Sequence, residues 1–174
     1  MIPQLPNGGT AIFECFDHAM LGSTVPFNAI SIETLHPGIA AGDLVAFRMP
    51  HSPADTWVKR LIGLPGDSVE LVDGKLVING AVVAAVPVDD YPLLHEKAAR
   101  LPLVRETLAN GRSYSIVPDQ PGSAIANLDL TVVPARSLFV LGDNLPNSID
   151  SRSESMFGFV PIVNLIARVT TMEA

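Results

Sequence analysis

Short apolar runs, each stopped within a few residues by glycine or proline, dominate the 174-residue chain. Residues 42–48 (Gly-Asp-Leu-Val-Ala-Phe-Arg) lead into Met49 and Pro50. Residues 57–62 (Trp-Val-Lys-Arg-Leu-Ile) lead into Gly63, Leu64, Pro65, Gly66 and Asp67. Runs of this length between turn residues predict strands. Residues 68–72 and 75–78 flank Asp73 and Gly74, and Asn79 and Gly80 separate the second of these from residues 81–83. Asp-Gly and Asn-Gly accept the positive φ of a tight two-residue turn, so two consecutive hairpins are expected. Residues 137–141 and 164–169 read as further strands. Only between about 91 and 109 does the sequence suit a short helix, with Pro92 in its first turn and Pro102 ending or interrupting it. No period repeats along the chain. The expected fold is mostly β, a coiled antiparallel, barrel-like sheet with one short helix. Residues 1–80 and 135–174 would form its core, and residues 81–134 a smaller inserted subdomain.

Composition narrows the function. Apolar residues make up 48% of the chain, enough for a sizeable core. A net charge of −7 with eleven scattered basic residues argues against nucleic acid as a partner, because phosphate contacts need clustered Lys and Arg. The single Cys15 can make neither an internal disulfide nor a cysteine metal site. His18, His36, His51 and His95 show no paired ligand spacing, so no metal is expected. Residues 63–67 lack the Lys-Ser/Thr and the following helix of a phosphate loop, and no cofactor is implied. No stretch reaches the roughly 20 apolar residues of a membrane span. Residues 1–9 have neither the charged start nor the apolar centre of a signal peptide.

Lys59 is the most informative position. It lies within a strand among Trp57, Val58, Leu61 and Ile62. Such a lysine either points outward as a solubilising charge, the ordinary case, or inward, where desolvation disfavours the ammonium and leaves an amine able to take a proton from a hydroxyl. A serine activated by such an amine can carry out acyl transfer without histidine.

The residues around Lys59 resemble a known family. Residues 42–50 followed by 57–67 are similar to two consecutive boxes of the bacterial type I signal peptidases (leader peptidases). A third box is similar near the end: Gly142-Asp143-Asn144, then Asn147-Ser148, Asp150-Ser151-Arg152 and Gly158-Phe159-Val160-Pro161. A Gly-Asp alone is only a turn signal, and residues 84–133 match loosely, but three boxes in order are specific. The resemblance implies a serine endopeptidase that removes signal peptides from exported preproteins. By that resemblance Lys59 is the general base, Ser148 orients its amine, and Asp150 and Arg152 form a supporting ion pair with Arg60 close by. It also implies a catalytic domain on the periplasmic side of the bacterial inner membrane, with the membrane surface as a partner of the full-length protein.

The family's remaining box reads Ser-Met-x-Pro-Thr-Leu-x-x-Gly-Asp. The chain follows it from Met1, with Gln4 for threonine and Gly9 for aspartate, so the nucleophilic serine is expected immediately ahead of Met1. A fallback places Thr34 in the serine position, but it uses Gly42-Asp43 twice. A chain shortened at its start, a start assigned at the wrong methionine, and an inactive relative that binds peptides or assists assembly all remain open. The resemblance further implies that Met1, Leu5, Trp57 and Val58 line shallow pockets for the small residues of an Ala-x-Ala cleavage site, against ordinary core packing as the alternative. An apolar rim at Phe13, Phe16 and Phe27 is a weaker candidate for the membrane interface.

Overall fold

The computed structural model describes residues 10–16, 36, 38–49, 52–92, 100–120, 122–123 and 125–173. Thirteen strands fall into three antiparallel sheets among these residues. The largest contains β1 (Thr10–Cys15), β2 (Leu44–Met49), β3 (Ser52–Gly63), β11 (Ser137–Leu141), β12 (Val160–Pro161) and β13 (Leu165–Glu173), in the order β1-β13-β2-β3-β11-β12. A second holds β4 (Ser68–Val72), β5 (Lys75–Ile78), β6 (Ala81–Val82) and β10 (Leu128–Val132), in the order β10-β4-β5-β6. The third is β7 (Ala84–Pro92), β8 (Arg100–Thr107) and β9 (Ser113–Ile116). The mostly β fold expected from the sequence is what forms, and the strand orders are open ones.

The two predicted hairpins are present. Val72 pairs with Lys75 around Asp73 and Gly74, and Ile78 with Ala81 around Asn79 and Gly80. All four turn residues have positive φ, between 50° and 76°, as this turn type demands. The helix expected near residues 91–109 rested mainly on residues 93–100, and residues 93–99 lie outside the described residues; the parts on either side are strands. Residues 84–92 and 100–107 form β7 and β8, paired to each other, and β8 also pairs with β9. Pro102 fits there because the ladder jumps from Tyr91↔Leu101 to Val88↔Leu103, a bulge that leaves Pro102 without a register partner. The short 3₁₀ turns at Leu145–Asn147 and Ile162–Asn164 are the helical segments among the described residues.

The large sheet is buried on both faces at its centre. Leu61, Leu138 and Val140 enter one apolar cluster with Val45, Phe47 and Leu165. Their neighbours Ile62, Phe139 and Leu141 enter a second cluster with Val69, Leu71, Leu76, Tyr114 and Ile116. Side chains alternate across a strand, so β3 and β11 each feed both clusters. The second cluster ties the two smaller sheets to the large one. Any polar side chain on the central stretch of β3 is thereby carried into low dielectric, and Lys59 and Arg60 both lie there.

Candidate active site

Lys59 and Arg60 leave β3 on opposite faces. The ladder with β2 is regular here, pairing Val45 with Lys59 and Leu44 with Arg60. Lys59 therefore shares its face with Trp57 and Leu61, and Arg60 shares the other with Val58 and Ile62. Lys59 is the inward case: the residue is 7% exposed. Its Nζ lies 5.6 Å from the centre of the Trp57 ring and donates to Ser148 Oγ at 2.8 Å. Burial is the main cause that lowers the pKa of this amine. Asp150 and Asp143 oppose that effect and Arg152 adds to it. A lysine so placed can give up its proton at lower pH than an exposed one, and then accept one from a hydroxyl.

Ser148 reaches Lys59 because of how the chain leaves β11. Leu141 pairs with Arg60, so Gly142 follows at the level of Lys59. The 3₁₀ turn Leu145–Asn147 then folds the chain back and delivers Ser148 in extended conformation. Gly142 is the residue that admits it. A Cβ there would collide with Ser148 Oγ and stand 2.6 Å from Ser148 Cβ and 3.2 Å from Lys59 Nζ. The Gly142 N–H donates to Asp150 Oδ2 at 3.0 Å, which sets the peptide's orientation.

Two buried arginines hold this loop through three ion pairs. Arg152 donates from Nε to Asp150 Oδ1 at 2.8 Å and from Nη2 to Asp150 Oδ2 at 3.0 Å. Its Nη1 reaches Asp119 Oδ2 at 2.6 Å and its Nη2 the carbonyl of Leu145 at 2.7 Å. On the other side of β3, Arg60 grips Asp143 with two 2.7 Å bonds, donates to the carbonyl of Gly42 and stacks 4.5 Å above Tyr114. Bidentate Arg–carboxylate pairs fix direction as well as distance. Ser151 completes the frame: its Oγ accepts from the Val140 N–H at 3.0 Å.

Of the residues expected at the site, Lys59, Ser148, Asp150 and Arg152 are brought together. Trp57 is half-buried beside Lys59, with its ring edge-on to Phe157 at 5.7 Å. Val58 is half-buried on the opposite face of β3. Met1, Leu5 and Thr34 lie outside the described residues, as does Phe27. Phe13 is exposed on β1, while Phe16 packs on His36 at 4.2 Å between ring centres.

Asp119 carries no local sequence signal and sits 33 residues before Arg152 in the loosely matching stretch. Nor does the sequence single out Glu106 and Tyr114, paired across β8 and β9 and buried next to Arg60. Burial pushes the Glu106 carboxyl up, and it pushes the Tyr114 hydroxyl well above its ordinary value. Among the described residues no cluster of three or more His, Cys, Asp and Glu side chains could hold a metal ion. No helix among them is long and apolar enough to cross a membrane.

Comparison with known proteins identifies the family to which the chain is related. Residues 1–172 match the family described as "Signal peptidase, peptidase S26". The signal peptidase I of Rickettsia prowazekii is 39% identical over 133 residues, covering 73% of this chain and 49% of that protein. That of Rickettsia massiliae is 38% identical over 133 residues, covering 73% and 48%. The chain thus spans about half the length of the curated relatives it matches. A crystal structure of a signal peptidase I from Enterococcus faecalis is 31% identical, with a TM-score of 0.45, covering 76% of this chain and 97% of that one. With a family match over nearly its whole length and relatives close to 40% identical, the chain belongs to the bacterial type I signal peptidases of family S26.

Proposed function

We propose that this chain is the catalytic part of a signal peptidase that cuts signal peptides from exported preproteins, using Lys59 as general base. The observation that carries the reading is the 2.8 Å contact between a buried, deprotonation-prone Lys59 amine and Ser148 Oγ. The attacking hydroxyl is that of a serine which the family's first box puts directly ahead of Met1. That hydroxyl adds to the scissile carbonyl carbon while its proton passes to Nζ of neutral Lys59. The tetrahedral oxyanion collapses, the leaving amine takes the proton from the Lys59 ammonium, and an acyl-enzyme remains. Water, deprotonated by the same amine, then attacks the acyl carbon and frees the serine.

Ser148 fixes the direction of the Lys59 amine in this scheme and does not itself attack. Asp150 and Arg152 hold the loop that carries Ser148, and Arg60 with Asp143 anchors its start. Residues 81–134 act as an inserted subdomain whose β8–β9 hairpin braces Arg60 through Tyr114. The substrate is an extended peptide with small residues at the cut, bound beside Trp57. The reaction takes place on the extracytoplasmic side of the bacterial inner membrane.

The test is cleavage of a preprotein peptide with an Ala-x-Ala site by the chain extended at its start with the family's serine. Cleavage that Lys59→Met abolishes, with the fold unchanged, is the expected result. Full activity in the Lys59→Met protein would remove Lys59 from the mechanism. A folded extended chain that binds the peptide without cutting it would favour a peptide-binding relative.

A further inference from the structure

Beyond the Lys59–Ser148 contact, we infer that Asp119 is a positioning residue of this site, sharing the Arg152 guanidinium with Asp150 and so setting how Asp150 faces Gly142 and Lys59. The inference rests on the reading of Lys59 as the base. It adds a member from outside the motif boxes.

The geometry is a single buried chain of contacts. The Asp119 side chain is fully buried, those of Asp150 and Arg152 nearly so. Arg152 meets Asp119 through Nη1 at 2.6 Å, a shorter contact than either it makes with Asp150. Asp150 Oδ2 in turn accepts both Arg152 Nη2 and the Gly142 N–H, each at 3.0 Å. Gly142 is the residue against which Ser148 and Lys59 Nζ pack. One cation between two carboxylates leaves a net negative cluster, and in low dielectric that balance is felt by a neighbouring amine.

The segment that carries Asp119 is itself locked to the loop. Val117 N–H donates to the Asp143 carbonyl at 2.8 Å, and Leu145 N–H to the Val117 carbonyl at 3.0 Å. Asp119 therefore enters from a backbone already in register with residues 143–145, and its carboxylate is aimed at Arg152 by covalent geometry. The charged groups acting on Lys59 are Asp150, Arg152 and Asp143, the last of them held by Arg60. Asp119 acts on Lys59 through Arg152.

Neutralising Asp119 has a definite sign. Without the second carboxylate, Arg152 is less compensated and draws closer to Asp150. More positive charge then bears on Lys59, and the negative charge of Asp150 is masked. Both changes disfavour the ammonium. Loosening of the packing alone would admit water and favour it.

The experiment is a ¹³C titration of the Lys59 side chain in the 174-residue protein, with the resonance identified by its loss in Lys59→Met. Asp119→Asn is expected to lower the midpoint by roughly half a pH unit. Asp119→Glu, which keeps the charge, is expected to hold the midpoint of the parent. A midpoint unchanged or raised in Asp119→Asn would overturn the inference. Should Asp119→Asn fail to fold, Asp119→Ser takes its place, with the same fall in midpoint expected and an unchanged or raised midpoint overturning the inference. The readout needs no cleavage, so absence of peptidase activity in the serine-bearing protein would strike the protease reading and leave this coupling standing.

Discussion

Gly142 and Ser148 pack so closely that a single added methyl group would have no room between them. Lys59 Nζ lies against the same atoms, so the absence of a side chain at residue 142 is what lets a serine from the β11–β12 loop reach an amine on β3. Gly142→Ala is expected to push Ser148 off Lys59 while β3 and β11 stay paired. In the serine-bearing protein this should lower kcat by about a hundredfold, the scale of a 1 Å misplacement. The overpacking should cost about 1–3 kcal/mol of stability. Steady-state kinetics beside a urea melt checks both, and near-parental kcat would contradict the steric account.

Removing the Ser148 hydroxyl is a milder change. Ser148→Ala keeps the space and loses one hydrogen bond to a buried amine. We expect kcat to fall about ten- to a hundredfold with KM little changed, because Ser148 orients the base and does not bind the peptide. A rise in KM at constant kcat would instead place Ser148 among the substrate contacts.

Lys59 also leaves a signature in stability. Its pKa is lowered in the folded protein, so between that value and 10.5 the unfolded chain binds more protons and stability rises with pH. Below the window the buried ammonium costs about 1.4 kcal/mol for each unit of lowering. Lys59→Met should therefore raise Tm at neutral pH, and the gain should shrink as pH approaches 10.5. A parent and variant with parallel Tm–pH curves would mean that the amine is not desolvated.

Glu106 behaves in the opposite sense. Its pKa is raised by burial, so the folded protein holds that proton to higher pH than the unfolded chain does. Stability from the neutral carboxyl is full below 4.5 and falls as pH rises through the folded value. Glu106→Gln should match the parent in acid and be the more stable protein at neutral pH, as measured by Tm across pH 4–8. Equal stability of the two at neutral pH would contradict the shift.

Asp143 tests the ion pair of Arg60. Asp143→Ala would leave the buried Arg60 guanidinium without its bidentate carboxylate. A loss of about 3–5 kcal/mol is expected from chemical denaturation. A loss below about 1 kcal/mol, as for exposed pairs, would show that water reaches Arg60.

Much of this site was legible in the sequence, for reasons that differ from residue to residue. Asp73-Gly74 and Asn79-Gly80 announced their hairpins because a two-residue turn has few chemical solutions. Lys59 stood out only because its neighbours were apolar; alternation alone could not say which way it pointed, and the resemblance of its box supplied the direction. Residues 100–107 went unread as a strand because the helical pattern of residues 93–100 and the break at Pro102 overlapped them, and they become a strand through pairing on both sides with β7 and β9. Asp119 had no local pattern at all, since its partner Arg152 arrives only through tertiary packing. The contact of Gly142 with Ser148 was hidden for the same reason: a glycine after a strand reads as a turn until the residue that needs the space is in view.

The Lys59 amine is the group on which the proposed chemistry turns, and its ionisation can be measured directly. In a ¹³C-lysine titration of the 174-residue protein, the Lys59 resonance, identified by its loss in Lys59→Met, is expected to change with a midpoint clearly below the ordinary 10.5. A Lys59 midpoint at 10.5 or above would mean that the amine is not desolvated and would overturn its role as the base.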